Sequence, residues 1–456
     1  MEISPIDYRY GYKDVKEIFS QEYRLKCMLL VEHAVLEVKH EMGMIPEDVP
    51  GDLKKLIDKN MVKISDIQKE ESLTKHDIMA MINVVNKYSP NAAEYLHAGM
   101  TSNDVNDTAT ALQLKAFFNL YIQRLSDLID TLRDMVKKNV RTIMLGRTHG
   151  QHASPITFGL KMSVYLMEMC RHSDRIRESL DRILVGKIRG PVGTGAGLGE
   201  HALEIEEQAL NILGLNVEEA STQITGRDRL IELLSVFSNI SATLERLATE
   251  IRNLQRPEIG EVSEGFDKKT QVGSSSMPAK ENPITSENIC SLARLIRGFL
   301  TPEIEGSILW HERDLTNSAL ERFTIPYSCI LTDYITGKMN DVLINIVINK
   351  KMMKRNLIRD PFSMSESLVI ALTRKKIPRN ESHEIVRKAS MASARPRDLP
   401  GNIVKYSDGK LTIKEIESAL NPFNFIGSSA EICRTSIKKA NRSELLLRKL
   451  REEILS

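Results

Sequence analysis

The chain has few cysteines, few aromatic residues and no long apolar run, and each shortage excludes a class of protein. Its five cysteines are scattered over 456 residues and never occur in C-x-x-C spacing. This argues against a disulfide or zinc framework and predicts a reducing, cytoplasmic location. No window approaches the ~20 apolar residues that cross a bilayer, and the N-terminus lacks the apolar region of a signal peptide. The formal net charge of +2 gives no reason to expect nucleic acid or a membrane as partner.

Aromatic residues make up only 5% of the chain, whereas leucine, isoleucine, methionine and lysine dominate, which favours helix over sheet. Long segments repeat apolar residues every three or four positions, the spacing of an amphipathic helix in a bundle. They are Leu114–Met135, Met162–Ile183 and Phe237–Leu254, with further helices predicted at about Ser286–Leu300 and Pro326–Lys350. Strand-like runs are short, such as Gly186–Arg189. We predict an all-α fold whose long-helix bundle continues across subunits.

A chain of this length exceeds the ~250–300 residues over which a single core grows, so more than one domain is expected. We predict an N-terminal helical domain over residues 1–110, a central long-helix domain over 111–360 and a C-terminal helical domain over 361–456. The last part has shorter helical patterns, many basic residues and turn signals such as Pro400-Gly401.

The most informative polar segment runs from Gly273 to Pro283, in a predicted loop at about 266–284. It contains three hydroxyls, two prolines, a lysine and an amide, and it has no hydrophobic period. Such a segment cannot fill a core, because each buried polar group would need a partner. Polar loops on a rigid scaffold often carry catalysis, although this composition alone also fits a serine-rich linker.

Two polar clusters precede helical patterns, at Thr74–Asp77 and at His97–Asp104. The second cluster places Thr101 and Ser102 at the start of a long helix, where N–H groups and the helix dipole favour an anion. Both clusters also fit ordinary helix capping.

A third cluster, Gly146–Pro155, lies between two long helical patterns and contains His149 and His152. Two histidines could ligate a metal, but no partner with suitable ligand spacing is near, so no metal is expected. We interpret one histidine as an acid or base near neutral pH.

The fourth cluster is Trp310–Asp314, followed by Ser318 and Arg322. An arginine fork suits a carboxylate or a phosphate. The alternative is a salt-bridge lattice in which Glu312, Asp314 and Glu321 pair with neighbouring bases.

Taken together, these motifs resemble the fumarase/aspartase superfamily, whose signature loop reads G-S-S-x-M-P-x-K-x-N-P and is followed by a glutamate. The chain matches this signature completely, with the glutamate at Glu287. Thr148-His149 and Thr101-Ser102 match the other two regions of the superfamily in the expected order.

Within the superfamily the chain is similar to the adenylosuccinate lyase family over essentially its whole length. This resemblance rests on Thr74–Asp77, on Ser221–Gln223 with Arg227–Arg229, on Trp310–Asp314 with Ser318 and Arg322, and on Arg9-Tyr10. It implies a homotetramer with a twenty-helix core and active sites shared between three subunits, acting on small-molecule substrates without a cofactor. The implied reaction is β-elimination of fumarate from adenylosuccinate, giving AMP, and from the succinyl-carboxamide ribotide of purine synthesis (SAICAR to AICAR).

The resemblance also implies roles for single residues. Ser274 is the base, with Ser275 as the open alternative, and His149 is the general acid, oriented by Glu287. Lys280 and Asn282 bind the succinyl carboxylates. The remaining substrate contacts fall to His76, which the resemblance counts with the catalytic set, and to Arg9, Tyr10, Lys75, Asp77, His97, Thr101, Ser102, Gln223, Met277, Arg313, Ser318 and Arg322.

Two departures from the family pattern concern charge. Lys75 stands where the family often has arginine, which removes a bidentate fork. Ala279 and Glu281 stand where relatives often have an aromatic or histidine and a basic residue, so Glu281 places a negative charge beside Lys280. The competing functions are argininosuccinate lyase, fumarase, aspartase, carboxymuconate cycloisomerase and a catalytically silent protein on the same scaffold.

Overall fold

A computed structural model of the chain describes residues 3–267, 269, 273, 276–277 and 279–455. In chain order the helices are α1 Pro5–Tyr8, α2 Lys13–Ile18, α3 Gln21–Glu41, α4 Asp48–Asp58, α5 Ile64–Thr74, α6 Asp77–Tyr88, α7 Pro90–Tyr95, α8 Ser102–Lys138, α9 Phe158–Ile183, α10 Ala202–Leu213, α11 Asp228–Gln255, α12 Ile284–Gly298, α13 Leu300–Gly306, α14 Ser318–Ile344, α15 Lys350–Arg359, α16 Ser365–Arg374, α17 Arg379–Ala392, α18 Leu399–Tyr406, α19 Ile413–Ala419 and α20 Ser429–Leu455. The predicted all-α class is confirmed.

The strands are short and form two-stranded pairs. They are β1 Ile143–Thr148, β2 Gln151–Thr157, β3 Val185–Gly186, β4 Asn216–Val217, β5 Val262–Ser263 and β6 Val347–Ile348. β1 and β2 form an antiparallel hairpin, β3 pairs with β4 in parallel, and β5 pairs with β6 antiparallel. None of the helices in the described ranges is long and apolar enough to cross a membrane.

The central bundle consists of α8, α9, α11, α12, α14 and α20, which lie side by side. Its aromatic centre is built from α8 and α11. The rings of Phe117 and Tyr121 stack with centroids 5.3 Å apart, and Phe237 meets them edge-on at 5.8 and 6.0 Å. All three side chains are fully buried. Ring pairs of this kind add about 0.5–1.5 kcal/mol each beyond the area they bury.

The helices predicted from apolar spacing are present as α8, α9, α11, α12 and α14, but the bounds of the last one were wrong. It begins at Ser318, with Pro326 inside the helix, and it ends at Ile344. Proline disfavours a helix interior by about 3 kcal/mol, a local cost that tertiary packing of the flanking buried residues Ile325 and Ile330 outweighs.

The β1–β2 hairpin was missed, because the cluster Gly146–Pro155 was assigned to a connection between helices. Its two-residue turn, His149-Gly150, has positive φ at both positions, 53° and 72°. This is the backbone of the turn that closes hairpins with the natural strand twist. The strand predicted at Gly186–Arg189 is Val185–Gly186.

A second hydrophobic cluster lies in the C-terminal part and includes Leu368, Leu372, Leu399 and Ile416. The last helix, α20, instead returns to the central bundle and packs against α8 and α9. The division into three domains at residues 110 and 360 stays a prediction.

Glu303 on α13 provides a test of how burial sets stability. Its side chain is 1% exposed, and its Oε2 accepts a hydrogen bond of 2.6 Å from Thr324 Oγ1. Burial, reinforced by the nearby charge of Glu321, raises the pKa of Glu303 to about 7. The folded protein therefore keeps a proton on Glu303 over a pH range in which the unfolded chain has lost it. The higher proton affinity of the folded state contributes to stability at low pH, and this contribution is lost as pH rises from about 4 to 7.

We expect Glu303→Gln, which mimics the protonated acid, to gain stability relative to wild type as pH rises from 5 to 8, on the order of 3 kcal/mol. Thermal unfolding of both proteins across this range measures the difference. Glu305→Gln, at an exposed position on the same helix, is the matched control and should show no such trend. A Glu303→Gln effect that does not change with pH would contradict the expectation.

Candidate active site

The first turn of α8 is fixed by a buried ion pair. The side chains of Asp104 and Lys187 are both 0% exposed, and Lys187 Nζ donates to Asp104 Oδ1. Asp104 Oδ2 also accepts from the backbone N–H groups of Thr101 at 2.8 Å and Gly190 at 2.9 Å. Buried charges are tolerated only when they are paired and hydrogen-bonded. The carboxylate therefore holds the start of α8 against the segment that follows β3.

Thr101 and Ser102 lie where the sequence predicted, at the N-cap and first position of α8. His97 precedes them in a left-handed conformation with φ of 60°. Its Nδ1 is 2.7 Å from Oε1 of Glu32, and its backbone N–H donates to Glu32 Oε2 at 3.0 Å. Glu32 is 1% exposed, so His97 is anchored to α3 through a rigid carboxylate.

A glycine-rich loop, residues 190–199, joins two predicted substrate-binding segments and was missed by the sequence analysis. A Cβ on Gly99 would lie 2.4 Å from the carbonyl oxygen of Gly197, and one on Gly193 would lie 2.0 Å from that of Ser221. Neither distance leaves room for a side chain. The loop thus packs backbone to backbone against the His97–Thr101 turn and against Ser221–Gln223. Its signal in the sequence was the run of glycines itself.

A cavity of about 490 Å³ opens beside the first turns of α8, between α3, α5, α6 and α14. Four predicted substrate-binding residues line it, and several charged or amide residues that were not assigned to the site lie with them. The predicted residues are Asp77, Arg313, Ser318 and Arg322, and the others include Arg24, Asn103, Asn106, Asp107 and Arg227.

Arg227 lines this cavity and connects α8 and α14 to the start of α11. Its guanidinium donates to both oxygens of Asp107 on α8, at 2.8 and 3.0 Å, and to both oxygens of Glu321 on α14, at 2.9 and 3.2 Å. Burial alone would lower the pKa of Arg227, but the two carboxylates raise it above its ordinary value. Burial likewise works to raise the pKa of Asp107, and Arg227 holds it below the ordinary range.

Arg313 faces the same cavity with an unused donor. Its Nε donates to the carbonyl oxygen of Asp314 at 2.9 Å, whereas its buried Nη1 has no hydrogen-bond partner among the described residues. Burial lowers the pKa of Arg313. A buried cationic donor without a partner is an expected feature of an anion site.

The salt-bridge lattice considered for the Trp310–Asp314 segment is not what forms there. Asp314 closes a turn by accepting from the backbone N–H groups of Trp310 and Thr316, each at 2.8 Å. Glu321 pairs with Arg227 of another helix.

His76 is itself the N-cap of α6, whereas the capping interpretation of its cluster made it a first-turn surface residue behind an Asp or Thr cap. Its Nδ1 accepts a hydrogen bond of 3.3 Å from Met79 N–H, and Asp77 follows as the first helical residue. Lys75 has φ of 56° at the end of α5 and is exposed. Among these residues Asp77 lines the cavity.

His149 lies at the exposed tip of the β1–β2 hairpin. The hairpin is anchored by Arg147, whose guanidinium donates to both oxygens of the fully buried Glu261 at 2.7 and 3.0 Å. His152 is engaged separately, with Nδ1 2.6 Å from Oδ2 of Asp360. The strands of the hairpin are therefore fixed, and the turn places His149 in solvent.

The signature loop is held at both described ends. Asn282 Nδ2 donates to the carbonyl oxygen of Gly273 at 2.9 Å, and a Cβ on Gly273 would lie 1.8 Å from the carbonyl oxygen of Lys280. Glu264, before the loop, caps α12 after it by accepting from Ser286 N–H at 2.6 Å. Ser274 and Ser275, predicted as alternative bases, lie outside the described residues, whereas Lys280, Met277 and Glu287 are exposed.

The other predicted residues are spread over separate parts of the chain. Tyr10 packs against Tyr334 on α14 with ring centroids 5.9 Å apart, and the Arg9 guanidinium lies 5.9 Å from the Tyr10 ring. Gln223 N–H donates to the carbonyl oxygen of Glu312 at 3.3 Å, which joins two of the predicted motifs.

The predicted pairing of His149 with Glu287 is not made within one chain. Among the described residues, neither side chain has the other as a hydrogen-bond or ion-pair partner.

The buried Asp104–Lys187 ion pair predicts a large loss of stability when one carboxylate oxygen of Asp104 is replaced by an amide nitrogen. Asp104→Asn keeps the side-chain shape but leaves the Lys187 ammonium buried without a counter-charge, which costs about 3–5 kcal/mol. We expect a clear fall in Tm, measured by thermal unfolding. Asp127→Asn, at an exposed position on the same helix, is the control and should change stability by less than about 0.5 kcal/mol. Equal Tm values for the two variants would mean that the ion pair does not hold α8.

Comparison with family models gives two matches. Residues 14–298 match the model described as lyase, and residues 361–435 match the model described as adenylosuccinate lyase C-terminus. The chain is 38% identical over 447 residues to an adenylosuccinate lyase of Methanothermobacter thermautotrophicus, covering 97% of this chain and 100% of the relative. It is 39% identical over 448 residues to an adenylosuccinate lyase of Pyrococcus abyssi, covering 97% and 99%.

Among solved structures, the fold is similar to the 3-carboxy-cis,cis-muconate lactonizing enzyme from Pseudomonas putida, with a TM-score of 0.87 and 26% identity over 96% of this chain and 99% of that one. The two adenylosuccinate lyases have a higher sequence identity to this chain than the lactonizing enzyme does, over a similar share of its length. Their name also agrees with the C-terminal family match. The chain belongs to the adenylosuccinate lyase family of the fumarase/aspartase superfamily.

Proposed function

We propose that the protein cleaves adenylosuccinate to AMP and fumarate, and the succinyl-carboxamide ribotide to the free carboxamide and fumarate, by β-elimination. The observation that carries this proposal is the similarity, over 97% of the chain, to relatives named adenylosuccinate lyase. The cavity supports it, because arginine side chains line a space beside a helix N-terminus, and both features are suited to an anion.

Such a reaction must stabilise a carboxylate as it becomes an enolate-like dianion, because binding substrate and transition state equally well would not raise kcat. In the proposed site Thr101 and Ser102 donate to one succinyl carboxylate from the start of α8. Lys280 and Asn282 bind the other succinyl carboxylate. One N–H of the Asn282 side-chain amide donates to the Gly273 carbonyl, and the second N–H of that amide remains for the carboxylate.

Proton transfer is proposed to use Ser274 as base, with Ser275 as the alternative, and His149 as acid. A serine hydroxyl is a weak base and needs activation by its surroundings, here by Lys280 and by exclusion of water when the loop closes. His149 would be oriented by Glu287, as a carboxylate holds an imidazolium.

The nucleotide is proposed to bind between the cavity and its rim. Arg313, Ser318 and Arg322 would hold the phosphate and ribose, with Arg9 and Tyr10 contributing from the N-terminal segment. The rest of the nucleotide and succinyl group would be contacted by His76, Asp77, His97 and Gln223, with Lys75 and Met277 at the edges.

The site is proposed to be complete only in a homotetramer with three subunits contributing to each site. This accounts for two observations within one chain. His149 is exposed at a hairpin tip, and Glu287 is exposed on α12, so each is available to another copy. We also propose a cytoplasmic location, consistent with five buried cysteines that are all free.

The reaction is tested by following absorbance when purified protein is added to adenylosuccinate, beside Ser274→Ala and His149→Gln. We expect fumarate and AMP from the wild type and at least a ~10²–10⁴-fold loss of rate in each variant. Full activity of Ser274→Ala would move the base to Ser275. No turnover by the wild type would reject the proposal, and muconate or argininosuccinate would then be tried.

The close approach of Gly273 to Lys280 makes a separate prediction about the loop. Gly273→Ala forces the Lys280 carbonyl away and displaces the catalytic segment, so kcat should fall by at least ~10²-fold while Tm changes little, since Gly273 is only partly buried. Gly298→Ala is the control, because nothing lies within 4 Å of an added Cβ there. An unchanged kcat for Gly273→Ala would show that the loop does not need this contact.

A further inference from the structure

Arg24 on α3 lines the cavity described above, although no sequence motif includes it. Its Nη1 donates to Thr110 Oγ1 at 3.1 Å and to Gln113 Oε1 at 3.2 Å, and its Nη2 donates to Asn106 Oδ1 at 2.9 Å. All three acceptors are neutral side chains of α8. A guanidinium has five N–H donors, so Nε–H and one N–H of Nη2 have no acceptor within the described part of the chain.

Arg24 forms no ion pair with any residue in the described part of the chain. No carboxylate of the described residues lies within ion-pair distance of Arg24, and the same holds for Arg313 and Arg322. Asp107 and Asp77 are close enough to act on Arg24 electrostatically, but neither forms an ion pair with it, and both oxygens of Asp107 are engaged by Arg227. Burial lowers the pKa of Arg24, and the nearby charges of Asp107 and Asp77 offset this only in part.

Three arginines without carboxylate partners around one cavity call for a ligand with more than one negative charge. A phosphate monoester carries about −1.5 to −2 charges and three acceptor oxygens, and it suits the bidentate geometry of a guanidinium. The proposed carboxylate ligands Thr101, Ser102, Lys280 and Asn282 are other groups. The phosphate is therefore the part of the proposed substrate that matches these donors.

We propose that Arg24 is a further ligand of the nucleotide phosphate, acting beside Arg313 and Arg322. This inference rests on the proposed function, which supplies the nucleotide. Nη1 of Arg24 is tied to α8 before any ligand arrives, while Nε and Nη2 present the remaining donors to the phosphate oxygens. A preset guanidinium loses less side-chain freedom on binding than a free one, so more of its interaction energy appears as affinity.

A purely structural role is the alternative, since the bonds to Thr110, Gln113 and Asn106 also join α3 to α8. The two roles differ in what they do to related ligands. A structural defect weakens AMP and adenosine alike, whereas loss of a phosphate ligand weakens AMP and leaves adenosine unchanged.

The test is calorimetric titration of the full-length protein with AMP and with adenosine, for wild type and Arg24→Gln. We expect wild type to prefer AMP, and Arg24→Gln to lose about 10–100-fold in AMP affinity, because hydrogen bonds to a charged group contribute about 1.5–3 kcal/mol. Adenosine affinity should stay within about twofold of wild type, the size of an effect away from the contact.

Lys26→Gln is the matched control, because it removes one positive charge at an exposed position on the same helix. Both ligands should bind it as they bind wild type. Arg24→Lys keeps the charge and loses the fork, so its AMP affinity should fall between those of wild type and Arg24→Gln. This variant carries the test if Arg24→Gln does not fold.

Three results would overturn the inference: equal weakening of AMP and adenosine by Arg24→Gln, no preference of the wild type for AMP, or competition with AMP by fumarate that depends on Arg24. In the last case Arg24 would be a carboxylate ligand. A wild type that releases no fumarate, but whose AMP preference is lost in Arg24→Gln, would reject the proposed reaction and leave the phosphate ligand standing.

Discussion

The ion pair between Asp104 and Lys187 is the interaction on which the arrangement of the candidate site depends. Both groups are fully buried, and the carboxylate also accepts from backbone N–H groups on either side of the gap between two chain segments. A helix start is normally a frayed, solvated part of a fold. In this protein the start of α8 is fixed. Thr101 therefore stays directed toward the proposed carboxylate site, and Asp107 stays directed toward the cavity.

The polar residues around the cavity divide into two kinds. Arg227 has all its charge balanced by Asp107 and Glu321, and it holds α8, α11 and α14 in place. Arg24 and Arg313 keep donors that no described residue accepts. A protein optimised only for stability would pair these groups or remove them. Whether an arginine has carboxylate partners therefore distinguishes structural residues from candidate substrate-binding residues more clearly than its position in the cavity does.

The sequence predicted the long helices and the signature loop because each depends on local order: apolar spacing for α8, α9 and α11, and a contiguous motif for Gly273–Glu287. It did not predict the hairpin at His149, since a polar stretch between two helices carries no alternating pattern and its turn depends on two positive φ values. It also missed Arg24, which occupies one position of an ordinary amphipathic helix. Only the fold places that position opposite α14.

The two-residue turn at His149-Gly150 limits how this part of the chain can change during evolution. One residue inserted or deleted between Thr148 and Gln151 would shift the pairing of the two strands by one position, so that Arg147 would no longer lie opposite His152. Substitution at the tip leaves the register intact, whereas a change in length does not. The length of this turn is thus set by the strand pairing, whereas the residue at its tip is set by the proton transfer proposed for His149.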